Sequence, residues 1–159
     1  MMSPEEQLQE LIIEQKSLQI ASLTSEGLPY ASYAPYIYHN GCFYIYISEL
    51  AKHTQNLIDD KRISILIIED EEKSRQVFAR RRLSGEGYVS EIERVEEDYT
   101  KIIAEFAGKF GNIMNILSNL SDFRLFRVEI NAGSFVIGFG KAYTYSGGNV
   151  TNLVQQKVK

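Results

Sequence analysis

The chain holds one cysteine, no tryptophan and only two histidines in 159 residues. It also has no apolar run that approaches the roughly 20 residues a membrane-crossing helix needs. A lone Cys42 excludes an internal disulfide and suits a reducing, cytoplasmic setting. His39 and His53 are too few for the usual His-rich metal centre, and no second cysteine supports a zinc cluster, so no metal site is expected. The acidic run Glu69-Asp70-Glu71-Glu72 lacks the spacing of a calcium loop and reads as solvated. Neither a P-loop nor a G-x-G-x-x-G fingerprint nor a G-x-S-x-G elbow is present. Positive charge is not in excess either. A net charge of −4 and a pI near 5.3 argue against a general nucleic-acid partner. The opening residues MMSPEEQLQE are acidic and polar, unlike a secretory signal, and no membrane partner is expected.

What is present is ordinary globular material, 44% hydrophobic and 24% charged, with ten tyrosines and eight phenylalanines supplying the aromatic bulk. Ser3-Pro4-Glu5-Glu6 fits a capping box opening a helix, with Leu8, Leu11 and Ile12 on one stripe. Leu18 to Thr24 and Pro29 to His39 read as strands. Asn40-Gly41 then makes a hairpin into the apolar run Phe43 to Ile47, which predicts a three-stranded meander. A short helix follows. Arg62 to Glu69 contains Ile-Leu-Ile-Ile, a pattern typical of a strand covered on both faces. Val77 to Glu91 reads as a strand, and Arg94 to Lys109 as an amphipathic helix. Asn112 to Leu120 reads as a further helical segment. Asp122 to Ile130 is predicted as a strand and Asn131-Ala132-Gly133 as a turn. The last strand spans Ser134 to Tyr145, with Gly138 and Gly140 leaving a bare patch on one face or relieving crowding. The pattern predicts a mainly β (α+β) chain, an antiparallel barrel with peripheral helices. It forms one domain over residues 1–146, followed by a loose polar tail, 147–159.

Two stretches carry candidate chemistry. Where the third strand gives way to the short helix, the chain places Lys52, His53 and Asn56. A helix start offers unpaired N–H groups and the positive end of the helix dipole, so a lysine and a titratable histidine there make an anion seat. The alternative is a solvated first turn. In Ala79-Arg80-Arg81-Arg82-Leu83, a period of two places Arg80 and Arg82 on one face and Arg81 on the other. Forked guanidinium groups can grip a phosphate or carboxylate, or pair internally with the acidic loop. Gly85 and Gly87 mark a bulge or a close backbone approach. No catalytic residue is identifiable from these patterns.

The runs PYASYAPY, ISELAKHTQNL, ILIIED, FARRRLSGEG, LSDFRLFRVE and FVIGFGKAY, in that order from about Leu11 to Tyr145, resemble the pyridoxamine 5′-phosphate oxidase-like split-barrel superfamily. The nearest likeness is to its haem-iron utilisation branch. The resemblance implies a six-stranded antiparallel split β-barrel and a homodimer with cofactor sites at the subunit interface. In the flavin-binding members a Ser-Arg-Lys run holds the FMN phosphate; Ala51-Lys52-His53 stands there, and Arg82 stands where a glutamine meets the flavin. The resemblance thus assigns cofactor binding to Lys52, His53, Asn56, Arg80 and Arg82, with contacts from Ser32, Tyr33 and Ala34. In the haem branch a C-terminal histidine ligates the iron, and no histidine follows His53 here. On that ground the sequence favours an FMN-dependent oxidoreductase. A haem-binding protein whose propionates pair with Arg80, Arg82 or Lys52 is the alternative, and a non-enzymatic anion-binding dimer the third reading.

Overall fold

The computed structural model describes residues 1–147, 150 and 152–157. Six strands close a barrel: β1 (Ser17–Leu23), β2 (Pro29–His39), β3 (Cys42–Ser48), β4 (Arg62–Ile68), β5 (Arg82–Ile92) and β6 (Phe123–Gly138). Their order is β3-β2-β1-β4-β5-β6, and β3 pairs again with β6 to complete the closure. Every pairing is antiparallel. Two further strands, β7 (Lys141–Ser146) and β8 (Val154–Gln155), extend the sheet beyond β6. The six-stranded antiparallel split barrel expected from the sequence is the observed fold.

Local signals account for much of this. Asn40 and Gly41 both take positive φ, 49° and 81°, and turn the β2–β3 hairpin. The first helix, α1 (Pro4–Glu14), carries the full capping box: Glu6 N–H donates to Ser3 Oγ, and Ser3 N–H donates to Glu6 Oε2. Its stripe of Leu8, Leu11 and Ile12 packs into the barrel core. The run Phe43–Ile47 is buried throughout because β3 faces apolar partners on both sides. Phe43, Ile45 and Ile47 enter the barrel core. Tyr44 and Tyr46 instead meet α3 (Glu97–Phe110) through a second cluster with Ile102 and Phe106.

Five sequence expectations are corrected. Val77–Ala79 is a 3-10 turn and β5 starts only at Arg82, because Arg80 and Arg81 are drawn off the strand path by Glu69. The α3 helix begins at Glu97, leaving Val95 outside it and 89% exposed. Asn131-Ala132-Gly133 is not a turn: β6 continues through it with a register shift that skips Asn131, and Ala132 and Gly133 pair with both β5 and β7. The real turn is Phe139-Gly140, with Gly140 at φ 69°, so Gly138 and Gly140 form no bare strand patch. The tail expected to be loose returns to the sheet where it is described. Val150 is buried, and Val154–Gln155 pairs with Thr144–Tyr143. Residues 148, 149, 151, 158 and 159 of that tail lie outside the described set.

Lys109 ties α3 to the rest of the fold. Its Nζ donates to the carbonyls of Gln15 and Tyr36, at 2.9 Å each, and sits 3.9 Å from the centre of the Tyr36 ring. Burial outweighs these contacts and pushes the ammonium down to about 8. In the unfolded chain lysine holds its proton to about pH 10.4. Between those values the unfolded state binds more protons, so this group makes stability rise with pH and destabilises fully below pH 8. The stability of the wild type relative to Lys109→Met is therefore expected to increase from pH 8 to 10. Thermal melts of both proteins across that range check it, and a constant difference contradicts it.

Candidate functional site

The strand-to-helix turn at Ser48–Ala51 is built from side chains far apart in sequence. Ser48 Oγ donates to Asp122 Oδ2 at 2.6 Å and accepts the Leu50 N–H at 3.1 Å. Thr54 Oγ1 donates to the Ser48 carbonyl at 2.6 Å. The helix that follows, α2 (Lys52–Asp59), has Ala51 at its N-cap and no side-chain cap hydrogen bond. The orphan N–H groups of a first turn are thus not claimed by a capping side chain.

Three predicted residues sit on α2 in different environments. Lys52 is exposed, with Nζ 5.0 Å from the centre of the Tyr30 ring. His53 is 8% exposed, and its Nδ1 lies 2.8 Å from Ser32 Oγ. Burial lowers its pKa, so the ring is neutral at neutral pH and supplies no positive charge to a phosphate. Asn56 is buried and donates from Nδ2 to Ser22 Oγ at 3.1 Å. These bonds staple α2 to β1 and β2, so His53 and Asn56 position the helix while Lys52 alone faces solvent as a cation.

Strand alternation divides the β2 residues. Ser32 and Ala34 lie on the side facing α2 and the core, whereas Tyr33 points to the opposite face and is 66% exposed. On that outer face, β1, β2 and β4 present side chains that include Ala21, Ala31, Ser64 and Leu66 around a depression of about 450 Å³.

The arginines fall in a third place. Arg80 is spent on the acidic segment: Nε and NH2 donate to the Glu69 carbonyl, and NH1 lies 3.6 Å from Glu71. Arg81 turns the other way, toward Glu10, Glu14 and Glu69. Arg82 donates only from NH1, to the Arg80 carbonyl, among the described residues, and keeps the rest of its fork. The register separates it from α2. Ser32 pairs with Ile20, Ile20 with Ile65 and Ile65 with Gly85, while Arg82 lies three residues further along β5. At about 4.8 Å per strand and 3.3 Å per residue, the two cation-bearing regions of one protomer stand roughly 15 Å or more apart. The structure pairs His53 with Ser32 and Asn56 with Ser22 along α2, and leaves Arg80 and Arg82 away from these bonds.

Ser22 and Asp122 are the members that sequence reasoning missed. Each is an isolated polar residue at a strand edge, and only closure of β3 on β6 brings Asp122 to Ser48.

Residues 4–137 match the family model for pyridoxamine 5′-phosphate oxidase. A protein named heme oxygenase HutZ, from Vibrio cholerae serotype O1, is 39% identical over 150 residues, which cover 94% of this chain and 85% of that one. The crystal structure of HutZ, described as a heme storage protein from Vibrio cholerae, has a TM-score of 0.80 at 34% identity over 95% of this chain and 100% of that one. Campylobacter jejuni ChuZ has a TM-score of 0.86 at 32% identity, covering 96% of this chain and 62% of the other. These findings correct the expectation of an FMN-dependent oxidoreductase. The missing tail histidine counted against haem, yet HutZ, whose names refer to heme, matches this chain along nearly its whole length. In its barrel, in the order of its segments and in the reach of these matches, the chain belongs to the pyridoxamine 5′-phosphate oxidase family, on the side of its haem-utilisation proteins.

Proposed function

We propose that this chain is a haem-binding protein that works as a homodimer, with each haem held between two protomers. The observation that carries the reading is the 39% identity to a named heme oxygenase across 94% of the chain. The donor set fits the carboxylates of haem. Lys52 is an exposed cation beside an uncapped helix start, and Arg82 keeps most of its planar fork. The fit to iron is narrower, because His53 is buried and engaged with Ser32 and His39 lies in the β2–β3 hairpin. The residues of this chain therefore argue for propionate recognition and for placement of the ring, and no redox step is assigned to them.

Dimerisation is supported by the outer face of the barrel. The Ile-Leu-Ile-Ile segment of β4 has the composition of a strand covered on both sides. In one protomer, however, only Ile63, Ile65 and Ile67 are buried, and Leu66 and Ile68 remain half-exposed. A second copy against that face would cover them and would bring cations from two chains to one cleft.

Titration of the purified protein with hemin tests the reading. A saturating Soret band at one haem per chain is expected, together with a sedimentation mass of two chains and no quenching of added FMN. No Soret change at saturating hemin overturns the haem assignment, and a monomer mass overturns the shared site.

A further inference from the structure

A further cleft borders the Arg80–Arg82 segment without including the side chains discussed for haem. The start of α1, the loop joining β4 to β5 and the β6–β7 hairpin enclose a cleft of about 690 Å³, within the range of small-molecule pockets. Its walls carry Lys73, Arg75, Arg81 and Lys141 against a single carboxylate, Glu69. None of Ser32, Lys52, His53, Asn56, Arg80 or Arg82 lines it.

Most of the positive charge here is unpaired in a chain with acid to spare. The sequence holds 21 acidic and 17 basic residues. Arg81 has three carboxylates within 4 Å, but its Nε is buried without a hydrogen-bond partner among the described residues. Lys73, Arg75 and Lys141 form no salt bridge among the described residues, although Asp70, Glu71 and Glu72 are their close neighbours in sequence. Three cations without a salt bridge among the described residues, Lys73, Arg75 and Lys141, share one cleft and repel one another unless an anion enters. The same cleft is also apolar, lined by Ile137 and by Phe139, which is 72% exposed on the hairpin tip. Exposed phenylalanine beside unpaired cations suits a ligand that has both an apolar body and negative charge.

We propose that this cleft is a binding site for an amphipathic organic anion, an apolar body bearing carboxylate, sulfonate or phosphate groups. The cations take the charged end and Phe139 and Ile137 take the apolar body. Because Lys73, Arg75 and Lys141 are exposed, affinity falls as salt is raised. The site is independent of the haem reading, since the two share no residue.

Anilinonaphthalene sulfonate, an apolar fluorescent anion, is the probe. The full-length protein is expected to bind it at low salt with enhanced, blue-shifted emission. The triple variant Lys73→Glu, Arg75→Glu, Lys141→Glu should weaken binding by about tenfold or more. Phe139→Ala should lower the bound emission, and Lys52→Ala should leave the affinity unchanged. Hemin titration of the triple variant should match the wild type. An unchanged dye affinity in the triple variant overturns the proposal, as does an equal loss in Lys52→Ala, which would place the dye on α2. If charge reversal lowers the melting temperature, Lys73→Ala with Arg75→Ala provides the same comparison, and no loss of affinity there is equally decisive.

Discussion

Gly133→Ala is expected to destabilise the protein by about 3 kcal/mol or more, a drop of roughly 10 °C in melting temperature. A Cβ at this position would fall 2.0 Å from the Ser84 backbone carbonyl and 2.3 Å from the Tyr145 hydroxyl. Both neighbours are fixed. Ser84 lies in β5, paired directly with Ser134, and Tyr145 is buried and donates to that same Ser84 carbonyl at 3.0 Å. The strands cannot separate without losing the crossing that carries β6 from the barrel wall to its pairing with β7. Gly138→Ala is the control. Nothing lies within 4 Å of a Cβ there, so its effect should stay within about 0.5 kcal/mol. Chemical denaturation of the two variants measures the difference. Equal stabilities would show that the sheet yields at Gly133 and would refute the close approach.

The second large effect concerns the divided cation set. Lys52→Ala and Arg82→Ala should each weaken haem binding by about tenfold to a hundredfold, the range of one charge-assisted contact to a carboxylate. The mixed dimer is the sharper case. Within one protomer the two side chains stand roughly 15 Å or more apart, as judged from three strand spacings and three residues of rise. If each site takes Lys52 from one chain and Arg82 from the other, a heterodimer of the two variants has one site lacking both and one site intact. Differentially tagged, co-expressed variants should then bind half the wild-type amount of haem at wild-type affinity. Uniformly weak binding would mean that both side chains act within one protomer, and full occupancy at wild-type affinity would mean that neither reaches the propionates.

Much of the fold was legible because its signals are local. The capping box at Ser3–Glu6, the Asn40-Gly41 hairpin and the doubly covered run Phe43–Ile47 depend on neighbours within a few residues. The errors cluster where a distant partner overrides the local pattern. Asn131-Ala132-Gly133 has turn composition, yet backbone pairing on both edges holds it extended. Ala79 to Leu83 alternates like a strand, yet Glu69 takes the donors of Arg80 and Arg81 and delays β5 to Arg82. On α4 (Ile113–Leu117) the residues Ile113, Ile116 and Leu117 are apolar. Packing under α3 buries Met114 and leaves Ile113 and Ile116 exposed.

The candidate site divides in the same way. The sequence alone determined that a lysine, a histidine and an asparagine would share the first turns of a helix after a buried strand. It also determined that three arginines would follow an acidic loop. Only the tertiary structure decided what each one does. Barrel closure sets Ser22 and Ser32 against α2, which gives Asn56 and His53 partners on the barrel wall and leaves Lys52 as the exposed charge. The path of β5 assigns Arg80 and Arg81 to carboxylates and a carbonyl of their own chain and frees most of Arg82. Residue type fixes what a side chain can donate. Which donors remain free depends on partners far away in sequence, such as Ser22 for Asn56, 34 residues apart, and those are brought together only by the closed sheet.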